Sequence, residues 1–334
     1  MGIDLPLAWA VIILFAVMMY VVMDGFDLGI GLLFPFIRER GDRDVMVNTV
    51  APVWDGNETW LVLGGAGLLA AFPTAYALVL QALSVPIVLM LIGLVFRGVA
   101  FEFRFKAPPA ARERWDLAFW GGSAVATFFQ GVVLGTFLNG FTVSGPDTGA
   151  GAPWLSPFPV FTGLGLLVGY GLLGVTWLVM KTGGRLQTKC IDIAGPLAWA
   201  FLGVLAVVSV WTPLAHPRIA ERWFSYPNLL WFAPVPLLVG VALWRLQASL
   251  GRGFGAAPFL WTLLLVFLGY SGLGISLWPF VAPPDLTIWE AAGPPQSLGF
   301  TLVGALLVIP MILAYTGWSY WVFRGKVRAG EGYH

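Results

Sequence analysis

The sequence predicts an all-α membrane protein with nine spans, its N-terminus outside and its C-terminus in the cytoplasm, and three observations carry that expectation. Hydrophobic residues make up 58% of the 334-residue chain and charged residues only 10%, whereas soluble domains carry about 25% charge; a surface so poor in charge has to face lipid. Nine apolar runs qualify as spans, each near the roughly 20 residues that a bilayer core demands. The basic residues are partitioned between alternate connections, so topology and charge agree.

The runs lie near 7–37, 55–72, 75–104, 116–140, 158–182, 194–213, 226–247, 256–281 and 297–324. The first lacks a preceding basic segment and is too long for a cleavable signal peptide, so it reads as a retained span. The second and third are separated only by Phe72-Pro73-Thr74. Joined as one helix they would extend about 75 Å at 1.5 Å per residue, too long for a single crossing. The stretch 143–157 is Gly/Pro-rich loop, and 283–296 is expected to lie along the surface. No internal repeat or separate soluble domain is evident, so 1–334 reads as one integral membrane domain.

Charge tests the count. The odd connections and the C-terminal tail hold Arg38, Arg40, Arg43, Arg97, Arg104, Lys106, Arg112, Arg114, Lys181, Arg185, Lys189, Arg245, Arg252, Arg324, Lys326 and Arg328, which is 16 of the 18 basic residues; the even connections hold only Arg218 and Arg222. The positive-inside rule puts the odd side in the cytoplasm. A net charge of +1 offers no basic face for nucleic acid. Many of the 17 Trp and 25 Phe are expected at headgroups or between helices.

Ionisable groups inside spans are functional candidates by default. Asp24 and Asp27 share one face of the first span at i,i+3, and Gly25 and Gly29 beside them permit close helix approach. Asp55 and Glu58 open the second span, flanked by Asn57 and Trp60; an N-cap with its capping-box partner is the plain reading of that pair. Glu102 sits among Arg97, Arg104 and Lys106 at the end of the third span, and Asp116 opens the fourth as a first-turn acid. All these acids collect toward one side. Linked by water they can relay protons; locked to Arg97 or Arg104 they are ion pairs. Gln130, Asn139, Ser271, Ser276, Tyr315, Thr316 and Tyr320 read as interhelical packing.

The two histidines, His216 in an outer loop and His334 at the end, cannot ligate haem in the bilayer interior, and the single Cys190 excludes a Cys-based cluster. There is no HExxH, P-loop or GxSxG motif. Met and Cys ligation stay formally open, but no His–His or His–Met pair can be built within the spans, so no catalytic residue is assigned, a catalytic metal centre wholly inside the chain is not expected, and redox chemistry would require cofactors carried by a partner.

The segments DGFDLGIG (24–31), APVWDGNETWL (51–61), FRGVAFEFR (96–104), LWPF (277–280), LTIWEAA (286–292) and YTGWSYW (315–321) resemble, in order, subunit II of cytochrome bd-type quinol oxidases. The resemblance implies nine spans as two four-helix bundles plus a peripheral helix in the bacterial inner membrane. It implies a homologous subunit I that carries two b-type haems and haem d, or a third b-type haem, and oxidises quinol to reduce dioxygen to water. It implies no haem in this chain, a small single-span subunit in some members, and room for a structural quinone or lipid. The short outer loops resemble the cyanide-insensitive branch. A cytoplasmic proton path is implied through acids matching Asp24, Asp55 and Glu102, the last often Asp in the family, with Asp27 and Glu58 beside them. Two other classes share the carboxylates: a proton-coupled transporter, which would show repeated halves around a midplane site, and a purely structural scaffold.

Overall fold

The computed structural model describes residues 3–140, 152–252, 255–328 and 330. Twelve helices follow one another among those residues: α1 (Leu5–Leu32), α2 (Arg40–Asn48), α3 (Trp54–Ala71), α4 (Pro73–Lys106), α5 (Arg112–Asn139), α6 (Pro157–Lys181), α7 (Gly184–Ala215), α8 (Pro217–Phe224), α9 (Asn228–Phe232), α10 (Pro234–Leu250), α11 (Ala257–Leu277) and α12 (Pro295–Val322). A two-stranded antiparallel hairpin, β1 (Phe280–Ala282) and β2 (Leu286–Thr287), precedes α12.

Among the described residues eight helices are long and apolar enough to cross a membrane. They are α1, α4, α5, α6, α7, α11, α12 and the α9–α10 pair. The helix left out, α3, has 18 residues, about 27 Å at 1.5 Å per residue, and its first turns carry Asp55, Asn57 and Glu58.

Local sequence sets the helix ends. Asp4 caps α1 by accepting the Leu7 amide at 3.0 Å, ahead of Pro6 in the first turn. Phe72 leaves helical geometry (φ −131°, ψ 63°) and Pro73 starts α4, so the expected break between the second and third runs is present. Leu83 (φ −119°, ψ 15°) kinks α4 one turn before Pro86.

Three boundaries differ from expectation. Helix α7 begins ten residues before the expected 194, because Gln187, Lys189 and Asp192 extend the helix beyond its apolar part. The run 226–247 is divided at Ala233–Pro234. The run 256–281 stops at Leu277, where the chain turns into the β1–β2 hairpin, so part of 283–296 is hairpin and turn. The 143–157 loop lies outside the described residues through 151.

Helices α1, α3, α4 and α5 pack in a ring, with α1 touching both α3 and α5 and α4 touching both as well. Helices α6, α7, α10 and α11 form a second ring, joined to the first through α1–α6 and α5–α6. Helix α12 touches α1 and α3 and is otherwise largely exposed. The join is close because it is glycine-lined: a Cβ on Gly29 would overlap the Tyr170 carbonyl, and one on Gly174 would overlap the Gly29 backbone. The small-residue pair expected from Gly25 and Gly29 therefore packs against α6.

The two ends differ chemically. One gathers ion pairs between Arg40 and Glu113, Arg43 and Asp116, Arg104 and Asp44, and Arg185 and Glu39. At this end Lys181 donates to the carbonyls of Phe323 and Gly325, tying the C-terminal segment to α6. The other end joins Asp4 to Trp289, Trp9 to Leu298 and Gly293 to Ala71. There Arg218 lies 4.1 Å over the Phe280 ring.

A buried arginine–carboxylate cluster as the candidate functional site

Helices α1, α3 and α4 bring three carboxyl groups together around Arg97. Its Nη2 donates to Asp24 Oδ1 at 2.6 Å and lies 3.7 Å from Asp27 Oδ2, while its Nη1 donates to Glu58 Oε1 at 2.8 Å. Asp24, Asp27 and Arg97 are at most 1% exposed, whereas the Glu58 side chain is 29% exposed. The cluster thus has a sealed interior and an open edge. The guanidinium also lies 5.4 Å from the Trp54 ring.

Polar side chains extend the cluster on both sides. Asn57 donates to Asp27 Oδ2 at 2.7 Å, and its own carbonyl accepts from the Tyr320 hydroxyl of α12 at 2.9 Å. On the opposite side Gln130 donates to the Tyr20 hydroxyl at 2.7 Å and accepts from Tyr170 at 2.8 Å, placing Tyr20 within electrostatic reach of Asp24. Asp24 Oδ2, Asp27 Oδ1, Arg97 Nε and Trp60 Nε1 are buried without a protein partner. A buried polar atom left bare is costly, so such sites are natural positions for water or a proton.

A second cluster sits nearer the helix ends. Asp116 accepts from Arg104 Nε at 2.5 Å and from Arg43 Nη1 at 2.8 Å, and Arg104 Nη1 donates to Asp44 at 2.6 Å. Arg43 further binds the Phe34 and Ile37 carbonyls, closing the turn after α1. Asp116 lies a full turn inside α5 and bridges two arginines; Glu113 is the first-turn acid, correcting the expected role of Asp116.

The other expected acids stand apart. Asp55 is exposed in the first turn of α3, close enough to Glu58 for their charges to interact. The expected capping box is absent, because the cap residue is Val53 and makes no side-chain bond. Glu102 is exposed and 3.9 Å from Lys106, one turn along α4. Of the two arginines weighed as partners for Asp24 and Asp27, Arg97 is the buried hub, while Arg104 anchors the second cluster. Asn57 is an integral member, and Trp60 is fully buried beside Phe15 (ring centroids 5.7 Å apart).

Sequence reasoning passed over Tyr20, Gln130, Tyr170 and Tyr320 as site residues. Tyr20 lies four residues before Asp24, one helical turn, and that spacing was a usable signal. The others come from α5, α6 and α12, and only the packing of those helices brings them in.

These features define a polytopic membrane subunit built around an intramembrane charge cluster. The chain belongs to the cytochrome bd terminal oxidase subunit II family, whose profile matches residues 5–323. It is similar to the cytochrome bd-I ubiquinol oxidase subunit 2 of Escherichia coli K12, 31% identical over 92% of this chain and 91% of that one. It is also similar to the cytochrome bd ubiquinol oxidase subunit 2 of Bacillus subtilis 168, 27% identical over 97% of each. Its fold matches a chain in the structure of the bd oxidase from Geobacillus thermodenitrificans with a TM-score of 0.76 at 18% identity, covering 94% of this chain and 98% of that one. The chain is thus a multi-pass inner-membrane subunit of a haem-based terminal oxidase, partnered by a subunit I.

His216, the one histidine among the described residues, closes the end of α7 and bonds Asn139 at 3.3 Å. Among the described residues no group of three or more His, Cys, Asp or Glu is placed to hold a metal.

Proposed function

We propose that this chain is the haem-free subunit II of a quinol oxidase, stabilising a homologous haem-bearing subunit I and conducting protons to it from the cytoplasm. Reducing dioxygen to water consumes one proton for each electron, and taking those protons from the cytoplasm while quinol protons leave outside separates charge. The active site, with its b-type haems and haem d or a third b-type haem, belongs to subunit I in this reading, and quinol is oxidised there.

The observation that carries the reading is the graded exposure of the carboxylates. Asp24 and Asp27 are sealed inside, Glu58 is at the rim, and Asp55 is exposed one turn away at the end that gathers the basic residues. Exposed acids on a lipid-facing surface are costly; under a partner subunit, with water between, they become the mouth of a path. Asp55 and Glu102 serve as that mouth, and Asp24, Asp27 and Glu58 as the interior stations. Arg97, Arg104, Asp116, Asn57 and Trp60 hold them in place.

The same reading assigns α3 as a ninth span, with α1, α3, α4, α5 and α6, α7, α10, α11 as two four-helix bundles and α12 peripheral. It puts the N-terminus outside and the C-terminus inside, from the charge partition. A small single-span subunit or a structural quinone or lipid is compatible with it.

Substitution tests the path. In assembled, haem-replete complex, Asp24→Asn, Asp55→Asn and Glu102→Gln should each slow proton uptake after an oxygen pulse, with quinol oxidation slowed in step. Normal uptake in all three would favour the scaffold reading, which has its own support in the 2.6 Å Arg97–Asp24 and 2.5 Å Arg104–Asp116 pairs.

A further inference from the structure

Three carboxyl groups, Asp24, Asp27 and Glu58, confront a single guanidinium. Among the described residues the elements packed around them add neutral polar groups to this pocket: Tyr20 from α1, Asn57 from α3, Tyr320 from α12, and Gln130 and Tyr170 from α5 and α6 behind Tyr20. Asp55 is the next charge outward, and it is another acid. In a low-dielectric interior, carboxylates in excess of their counter-ions cannot all ionise, and at least one of the set keeps its proton.

The geometry singles out which one. Asp24 and Glu58 occupy the two ends of the guanidinium at 2.6 and 2.8 Å, and Glu58 has partial access to the surface. Asp27 is left at 3.7 Å, outside hydrogen-bond range, and its Oδ2 takes a neutral amide from Asn57. Its Oδ1 is fully buried and has no protein partner. An anion there would accept a hydrogen bond from one neutral donor only and would share, at 3.7 Å, a guanidinium already bonded to Asp24 and Glu58; a neutral acid meets less of that penalty.

We propose that Asp27 is the proton-storing member of the cluster, protonated at rest while Arg97 and Asp24 remain an ionised pair. The assignment rests on the proton-conducting reading and deepens it: a proton waits next to the rim carboxyl Glu58, and the fixed Arg97–Asp24 pair returns Asp27 to its neutral state after it gives that proton up. Asn57 and Tyr320 are then positioning residues, orienting the Asp27 carboxyl from α3 and α12.

Isotope-edited infrared spectra of the oxidised holo-complex test this through the deuterium-sensitive carbonyl stretch of a protonated carboxylic acid. Subtracting the Asp27→Asn spectrum from wild type should leave that band. So should subtracting Asp24→Asn, because with its partner gone Arg97 recruits Asp27 as the counter-ion and the proton leaves. Subtracting Glu58→Gln should leave none. Asn at 27 keeps an acceptor for Asn57, and haem content with the visible spectrum verifies assembly. No band with Asp27→Asn, or a band with Glu58→Gln, overturns the assignment; no band with Asp24→Asn overturns the fixed pair. Oxygen-pulse uptake on the same samples separates the two ideas. A lost band with unchanged uptake keeps the storage site and removes Asp27 from the conducting path. Slowed uptake with the band intact keeps the path and removes the storage site.

Discussion

Replacing Arg97 by Gln is the most severe single perturbation the cluster offers. The guanidinium is 1% exposed and is the only cation within reach of Asp24, Asp27 and Glu58 among the described residues. Each contact at about 4 Å is worth about 4 kcal/mol at an effective dielectric of 20, but those attractions do not add up to the loss. The freed acids protonate, and the Gln carboxamide still donates hydrogen bonds, so the cost settles near that of breaking a buried pair, about 3–5 kcal/mol. At that size the thermal midpoint for haem release from the complex falls on the order of 10 °C. The assay is a thermal scan of purified complex at fixed detergent and protein concentration, read by the haem spectrum. Asp24→Asn in the Arg97→Gln background should restore part of the loss, with a coupling of about 1–3 kcal/mol. A single variant that assembles and melts like wild type, or a double variant whose losses simply add, would refute the hub role.

Three further outcomes follow from the geometry. Gly29→Ala places a methyl group against the Tyr170 carbonyl, a backbone atom that cannot swing aside, and should cost about 1–3 kcal/mol in the same scan; Gly98→Ala, which meets only the Trp54 ring at 3.5 Å, should be near neutral. Asp116→Asn strips two arginines of their shared acid and should cost about 3 kcal/mol, whereas Glu113→Gln at the exposed Arg40 pair should cost about 0–1 kcal/mol. Burial, and then Arg218, lower the His216 pKa from its ordinary 6.5. The unfolded state therefore binds more protons, so this stabilisation is full above pH 6.5 and is lost as pH falls through the folded value. Midpoints measured across that window should drop on acidification, and His216→Asn should flatten the dependence.

Hydropathy made the transmembrane helices legible because lipid exposure leaves its mark on composition, and Pro73 marked the α3–α4 break in the same local way. It misjudged α7 because a helix continues past the bilayer wherever the polar sequence still favours it. The Asp24–Asp27 face was readable from i,i+3 spacing and its close packing from Gly25 and Gly29. What local sequence did not contain was partnership. Arg97 and Arg104 look alike at the end of one apolar run, seven residues apart, yet one enters the core beside α1 and the other closes the α2–α5 corner. Asp55 and Glu58 looked like one capping unit, but Glu58 turns inward to Arg97 while Asp55 stays outside.

That last divergence bears on how the subunit works. A purely structural ion pair is most economical when acids and bases match in number, as in the second cluster, where Asp44 and Asp116 face Arg43 and Arg104. The Arg97 cluster departs from that balance, with three acids to one base, and the surplus lies along a line from the sealed interior to the rim. A stability role alone gives no reason to retain surplus carboxyl groups in a dry core, since an apolar replacement of similar volume is often neutral or stabilising. Proton transfer does give one: a conducting group must change charge without dismantling its surroundings, and a fixed Arg97–Asp24 pair beside a titrating neighbour meets that requirement. In the proposed reading the two clusters, which share only α4, divide the work, the balanced one holding the helix ends together and the unbalanced one remaining free to change its protonation.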